Sequence, residues 1–201
     1  MTDKQIQNNI IKFSKYCQKN NYGRPKLQGA YIRNGMQMLC DGFMGAVYKD
    51  VTDGTIDVKG SGIDMERICE QISDGCNYRI RDSKTLIERI EKALKVTKQD
   101  IKQKNIKIYR GNYLFDIFED SVFNVKMFLM LVKTFKDPVI YVGVQPHASM
   151  YIVGENGEGV LMGTRYSSQE ARRSNGFVNW QKLSPLYEGD ENVKFNENDK
   201  V

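Results

Sequence analysis

The stretch DPVIYVGVQPHASMYIVGENGEGVLMGTRY, which spans residues 137–166, indicates how this chain folds. It contains three runs rich in β-branched and aromatic residues, and turn-forming residues separate the runs. The glycines of GENGEG are not followed by the helix that a phosphate-binding loop needs, so they indicate hairpin turns. Short turns of this kind join antiparallel strands. The stretch therefore predicts three consecutive antiparallel strands, VIYVGV (139–144), ASMYIVGEN (148–156) and EGVLMGTRY (158–166).

A helix followed by three strands is also predicted near the start of the chain. Apolar residues recur at helical spacing in residues 3–20 and form one stripe along the helix. The stripe consists of Ile6, Ile10, Phe13 and Cys17. Three strands are then predicted in LQGAYIR, MQMLC and FMGAVYK, because NG and DG between them are strong signals for tight hairpin turns.

The strands of the opening stretch are likewise preceded by a predicted helix, DSVFNVKMFLMLVKTF, residues 120–135. Asp120 or Ser121 is expected to cap this helix. Its apolar face is expected to comprise Val122, Val125, Leu129 and Val132. The order helix, strand, strand, strand thus occurs twice. The predicted fold class is α+β, with duplicated helix-plus-three-strand units whose helices pack on antiparallel sheets.

The 201 residues are predicted to form one domain with an appended tail. The domain spans residues 1–166, and residues 55–104 form an insertion-like region that contains a long helix at 83–103. That helix is rich in basic residues, with seven basic and three acidic side chains between positions 84 and 104. Residues 167–201 are predicted to be a polar linker and a flexible acidic tail.

Charge is distributed unevenly along the chain. The net charge is +5, but residues 188–201 alone contain five acidic and two basic side chains, so the rest of the chain is more basic. A moderately basic body is compatible with nucleic acid or an acidic partner, and also with neither. No apolar run approaches the length of a membrane span, and the first residues carry no secretory signal. We therefore expect a cytoplasmic protein that does not enter a membrane.

The sequence offers no arrangement of side chains typical of an enzyme. The four cysteines include no CxxC pair, and His147 is the only histidine, so neither a structural zinc site nor a cofactor site is predicted. His147 lies in a predicted turn with no acidic residue within five positions, which disfavours a general base. The acidic residues Asp116, Glu119 and Asp120 are expected to cap a helix rather than bind Mg²⁺. We predict a non-enzymatic protein with no catalytic residue and no metal.

Three stretches carry a resemblance to a known family. RPKLQGAYIRNGMQMLCDGFMGAVYK (24–49), NVKMFLMLVKTF (124–135) and the strands VIYVGV and MYIVGENGEGVLMGTR resemble domains of bacterial DNA sliding clamps, the DNA polymerase III beta subunit, and small clamp-like phage proteins. The resemblance covers roughly residues 5–166 and implies two helices on one face of the sheets. It further implies a clamp-like phage protein that acts in DNA replication in the bacterial host, through DNA or a replication partner. A clamp ring contains six such domains, so a ring would require a homo-oligomer of this chain.

The same resemblance implies which residues contact double-stranded DNA. In clamps the helices face the DNA and carry basic residues. The matching lysines here lie off the apolar stripes of the two duplicated helices, at Lys12, Lys15, Lys19, Lys126 and Lys133. Such lysines would bind phosphates without reading the base sequence. The alternative is a solvated lysine surface with no ligand.

The segment QKLSPL, residues 181–186, loosely resembles the peptides with which clamp partners dock into a clamp groove. Trp180, Gln181 and Leu183 are therefore candidate partner-docking residues. The alternative is that this segment packs Trp180 and Leu183 on the body of the protein. A second hypothesis for the function follows the same line, namely a phage interaction protein that binds and inhibits a host protein and has no affinity for DNA.

Overall fold

The computed structural model describes residues 1–20, 24, 30–33, 35–49, 63–108, 112–118, 121–143, 145 and 147–181. The helices in this part of the chain are α1 (Asp3–Lys19), α2 (Met65–Ser73), α3 (Ser83–Gln103), α4 (Val125–Val132) and α5 (Ser168–Arg173). The strands are β1 (Tyr31–Arg33), β2 (Met36–Cys40), β3 (Met44–Tyr48), β4 (Tyr78–Arg79), β5 (Leu114–Asp116), β6 (Val122–Asn124), β7 (Val139–Val142), β8 (Met150–Gly154) and β9 (Gly157–Leu161).

Seven strands form one antiparallel sheet in the order β1-β2-β3-β9-β8-β7-β4, and β5 and β6 form a separate hairpin. The predicted α+β class with antiparallel strands is confirmed. The order helix, strand, strand, strand occurs twice, as α1-β1-β2-β3 and as α4-β7-β8-β9. The last strands of the two units pair with each other, with Tyr48 opposite Gly157 and Met44 opposite Leu161. The two units therefore share a single sheet whose centre is the β3–β9 pair.

One face of this sheet is covered by α1, α3 and α4. The apolar stripe predicted for α1 is fully buried, and it joins a core with Leu39, Ala46, Ile152 and Leu161 of the sheet. Helix α4 contacts β3 and β9 at the centre of the sheet, and it also contacts both α1 and α3. The three helices thus form one layer over the sheet, which we call the basic helical layer for reasons given below.

The other face of the sheet is covered by α2. Its buried side chains Met65 and Cys69 pack against Met38, Val47 and Val160. These three sheet residues alternate with the residues that face the other core, as the period of two in a strand requires. The long helix predicted at 83–103 is confirmed as α3.

The second predicted helix begins later than the sequence pattern indicated. The caps expected at Asp120 or Ser121 are wrong, because Val122–Asn124 is strand β6 and the side chain of Asn124 caps α4 by accepting a hydrogen bond from Met127 N at 3.1 Å. Residue 120 lies outside the described residues. The buried face of α4 includes Val125 and Val132 as predicted, but Phe128 and Leu131 take the places expected for Val122 and Leu129.

Residues 167–181 differ from the linker that the sequence predicted. Ser167 caps helix α5 within a capping box, which also involves Glu170, and Ala171 of α5 packs against the β5–β6 hairpin. Trp180 is only 4% exposed, and its Nε1 donates a hydrogen bond to the backbone oxygen of Asp116 at 2.6 Å. This segment is therefore part of the folded body. The rest of the predicted tail, residues 182–201, lies outside the described residues.

Candidate nucleic-acid interface

Three of the predicted DNA-binding lysines lie on the outer side of α1. The helix is fixed at its start by a capping box between Thr2 and Gln5, and its apolar stripe is buried against the sheet. Lys12, Lys15 and Lys19 fall on the opposite side and are exposed. The local sequence pattern was sufficient to place them, because one period fixes both the buried and the exposed side of a helix.

The other two predicted lysines lie on or next to α4, and each contacts a neighbouring helix. Lys126 is exposed, and its Nζ lies 5.6 Å from the centre of the Tyr16 ring on α1. Lys133 is partly buried and forms an ion pair with Glu91 of α3. The structure therefore brings all five predicted lysines into the basic helical layer, and Lys133 is the one whose charge is already paired.

A groove of about 850 Å³ opens between the first half of α1, the first half of α3 and the segment that follows α4. Lys12 and Lys133 line it. The groove is also lined by three further cations that the sequence did not single out, Arg79, Arg81 and Lys84. They come together because β4 pairs with β7, which places the start of α3 beside the end of α4. The only sequence signal for them was the high proportion of basic residues around α3.

Acidic residues are also present in the groove, and two of them have defined partners. The carboxylate of Asp82 caps α3 by accepting hydrogen bonds from the amide of Thr85 at 2.9 Å and from its hydroxyl at 2.6 Å. Glu91 pairs with Lys133. The groove is also lined by Glu88 and Asp137. Its charge is thus mixed, with cations in excess.

The two faces of the sheet carry different charge. Helices α1, α3 and α4 together contain eleven basic and four acidic residues, whereas α2 on the other face contains one basic and two acidic residues. A polyanion would therefore bind more favourably to the basic helical layer than to α2. Charged side chains on the layer suit contacts to a phosphate backbone.

The predicted docking residues do not form a common surface in the described structure. The indole of Trp180 is buried and hydrogen-bonded within the chain, whereas Gln181 is exposed. Leu183 lies outside the described residues. The burial of Trp180 agrees with the alternative that this segment packs on the body, and it removes Trp180 from the candidate docking residues.

The residues with chemistry typical of catalysis are separated or engaged in structural contacts. His147 is exposed in the turn between β7 and β8, with its Nδ1 2.8 Å from the backbone oxygen of Thr164. Asp116 lies in β5 instead of capping a helix. Its Oδ2 accepts a hydrogen bond from Arg172 Nε of α5 at 2.9 Å and forms an ion pair with Arg172 Nη2 at 2.8 Å. Within the described ranges, no three histidine, cysteine or acidic side chains lie together as a metal site.

The four cysteines are buried and unpaired in the described structure. Burial raises the pKa of Cys40 and of Cys76 to about 11. Burial also raises the pKa of Cys17 and of Cys69 above the ordinary range of a thiol. Because the thiolate is the reactive form, we expect all four to react slowly with thiol reagents at neutral pH.

One buried carboxylate, Asp41, lies in the tight turn between β2 and β3. Its Oδ1 accepts hydrogen bonds from Phe43 N at 2.7 Å and from Met44 N at 2.8 Å. Its Oδ2 is buried and has no hydrogen-bond partner among the described residues. Burial raises the pKa of Asp41, although the two backbone amides oppose the shift. The turn that the DG signal predicted thus contains a carboxylate whose charged form is disfavoured.

We expect Asp41→Asn to become more stable relative to the wild type as the pH rises. Because the pKa of Asp41 is higher in the folded state than in the unfolded state, protonated Asp41 favours folding. That contribution is lost as the pH rises from the unfolded pKa through the folded pKa. Denaturant unfolding of both proteins between about pH 4 and pH 8 measures the change, because asparagine does not titrate.

Asp82→Asn is the control with the opposite sign. Hydrogen bonds from Thr85 lower the pKa of Asp82 in the folded protein. Its stabilising contribution is therefore present above the unfolded pKa and is lost as the pH falls through the folded pKa. Relative to the wild type, Asp82→Asn should lose stability as the pH rises through the folded and unfolded pKa of Asp82, below about pH 5, and should change little at higher pH, where Asp41→Asn gains stability. Changes of the same sign in the two variants would contradict this account of Asp41.

Comparison with known proteins yields no relative. No family model, no curated protein and no solved structure matches the chain. The resemblance to sliding clamps therefore stays a prediction. In the part of the chain that the structure describes, every helix is too short or too polar to cross a bilayer.

Proposed function

We propose that this protein is non-enzymatic and binds duplex DNA through the basic helical layer, as a clamp-like phage protein acting in DNA replication. The observation that carries the proposal is the position of α1 and α4. The first helices of the two repeated units contact each other on one face of the shared sheet, and their lysines lie on or near the surface of that layer. Each of the two repeated units thus presents cations on the same side of the molecule.

The chemistry of the layer suits a DNA backbone. Duplex DNA carries one negative charge per roughly 1.7 Å of its axis, and flexible lysines can contact such a charge without a fixed geometry. Four of the five lysines are exposed and can approach phosphates directly. Lys133 would first have to leave Glu91, so we expect it to contribute less than the other four.

The test is duplex binding by fluorescence anisotropy as a function of salt. If four lysines contact phosphates, the logarithm of the affinity should fall with the logarithm of the salt concentration with a slope of about −3.6. In the triple variant Lys12→Gln, Lys15→Gln and Lys19→Gln, the slope should decrease in magnitude to about −0.9. The affinity of this variant at low salt should fall by roughly a hundredfold. Circular dichroism should show an unchanged helix content, because all three side chains are exposed.

A matched control removes three exposed cations from outside the layer. Lys49, Arg67 and Arg165 meet this condition. Their replacement by glutamine lowers the net charge by the same amount but should leave the slope nearly unchanged. Equal loss in the two triple variants would mean that net charge, and not the basic helical layer, determines binding. Absence of duplex binding at low salt, both by the wild type and by a variant with the acidic residues of 188–201 neutralised, would refute the proposed function.

An exposed apolar surface favours the second candidate function, binding of a host protein without DNA. Phe43 and Met162 are 47% and 43% exposed, and they are neighbours because Met162 N donates a hydrogen bond to the backbone oxygen of Phe43 at 2.8 Å. Exposed apolar side chains side by side are common in protein interfaces. If the wild type does not bind DNA, this end of the sheet should be tested as a protein-binding surface. The substitution Phe43→Ser should then weaken capture of the partner protein.

A further inference from the structure

We propose that the acidic segment of this same chain, residues 188–201, docks on the basic helical layer and competes there with duplex DNA. The competition rests on the proposed function, whereas the docking does not. The segment contains five acidic and two basic residues, and the layer contains eleven basic and four acidic residues. Opposite net charges within one chain attract at high effective concentration, because the linker keeps the two partners close.

The described chain ends beside the layer. Residues 175, 177 and 179 line a hollow of about 370 Å³ together with Ala93, Val96, Thr97 and Asp100 of α3. Gln181, the last described residue, therefore follows a segment that lies next to the second half of α3. The acidic segment begins seven residues later. The charged surface is thus near the end of the described chain.

The length of chain is sufficient to reach the groove described above. Seven extended residues span at most about 25 Å, whereas the twelve residues between Val96 and Lys84 span about 18 Å along α3. The acidic segment is therefore long enough to reach the second half of α3 and, with the residues further along it, the groove cations Lys84 and Lys133. The opposite face is a poor alternative, because α2 contains more acidic than basic residues.

Duplex affinity is the first measurement. The variant Glu188→Gln, Asp190→Asn and Glu191→Gln should bind duplex DNA roughly three- to tenfold more tightly than the wild type at low salt, because it weakens the competing segment. The difference should shrink as salt rises, because screening weakens the intramolecular contact.

A matched control adds the same charge on the other face of the sheet. Glu66→Gln, Glu70→Gln and Asp74→Asn alter the acidic residues on and next to α2, far from the layer. This variant should change duplex affinity by less than roughly twofold. An equal gain in the two variants would show that net charge alone acts, and would overturn the proposed competition.

A spin label tests the docking without DNA. Because the native cysteines are buried, a nitroxide reagent should react with a cysteine introduced by the substitution Asn198→Cys. A nitroxide there should broaden backbone amide signals of α1, α3 and α4 at low salt, while signals of α2 remain sharp. Addition of salt should restore the broadened signals.

The two measurements distinguish failure of the proposed function from failure of the docking and of the competition. If no form of the protein binds DNA but the layer is broadened, the proposed function fails and the docking is supported. If the amide signals of the layer are not broadened, the docking is overturned, whether or not the protein binds DNA. If the layer is broadened while the tail variant binds DNA no more tightly than the wild type, the competition is overturned.

Discussion

Replacement of Gly157 with alanine is expected to lower the free energy of unfolding by about 3 kcal/mol or more. Gly157 has a φ of +150°, which L side chains rarely adopt, and a Cβ at this position would lie 2.1 Å from Val47 O and 3.0 Å from Tyr48 Cα. Both contacts are with the backbone of β3, which cannot rotate away. The substitution therefore forces apart the β3–β9 pair at the centre of the sheet. Urea unfolding followed by circular dichroism measures the loss.

Gly35→Ala separates backbone strain from steric overlap. Gly35 also has a positive φ, 75°, but a Cβ there would have no heavy atom within 4 Å. This variant should therefore cost only about 1 kcal/mol, the ordinary penalty for alanine in that conformation. If Gly157→Ala costs no more than Gly35→Ala, the close approach of β9 to β3 is not as described.

Replacement of Trp180 with alanine should destabilise the protein by roughly 3–5 kcal/mol. The indole is 4% exposed and belongs to the main core. Its removal leaves a cavity, and it also leaves the backbone oxygen of Asp116 without its hydrogen bond from Nε1. Because Trp180 is the only tryptophan, unfolding of this variant should be followed by circular dichroism.

Two further variants distinguish packing from hydrogen bonding at this site. Trp180→Phe keeps most of the apolar contact and loses the Nε1 bond, so it should cost about 1–3 kcal/mol. Gln181→Ala, at the exposed neighbouring position, should change stability by less than about 0.5 kcal/mol. If Trp180→Ala were as mild as Gln181→Ala, residues 167–181 would behave as the linker that the sequence pattern predicted.

The elements that the sequence predicted well are those that local patterns determine. The stripe of α1 and the DG turn depend on residues within a few positions of each other, and both are as predicted. Asn34 of the predicted NG turn lies outside the described residues. The start of α4 was misplaced because Val122 and Phe123 suit a helix as well as a strand. Their pairing with β5 decides the matter, and it involves residues that local spacing does not identify.

The same distinction holds for the candidate site. Lys12, Lys15 and Lys19 could be placed from the period of one helix. The groove cations Arg79 and Lys84 could not be placed in this way, because they lie near α1 only as a result of the pairing of β4 with β7. Burial of Trp180 on the body was one of the two alternatives that the sequence left open, but its partner could not be predicted, because Trp180 contacts β5, more than 60 positions earlier.

The central β3–β9 pair also affects how the protein is made on the ribosome. Strand β3 is complete at Tyr48, but its partner in the sheet begins at Gly157, more than 100 residues later. At about 5–20 residues per second, one edge of the first unit stays unpaired for roughly 5–20 s during translation. An open strand edge with apolar side chains can pair with other chains. Slow translation or a high expression level should therefore favour aggregation of nascent chains. A chaperone that binds exposed strands should reduce this aggregation.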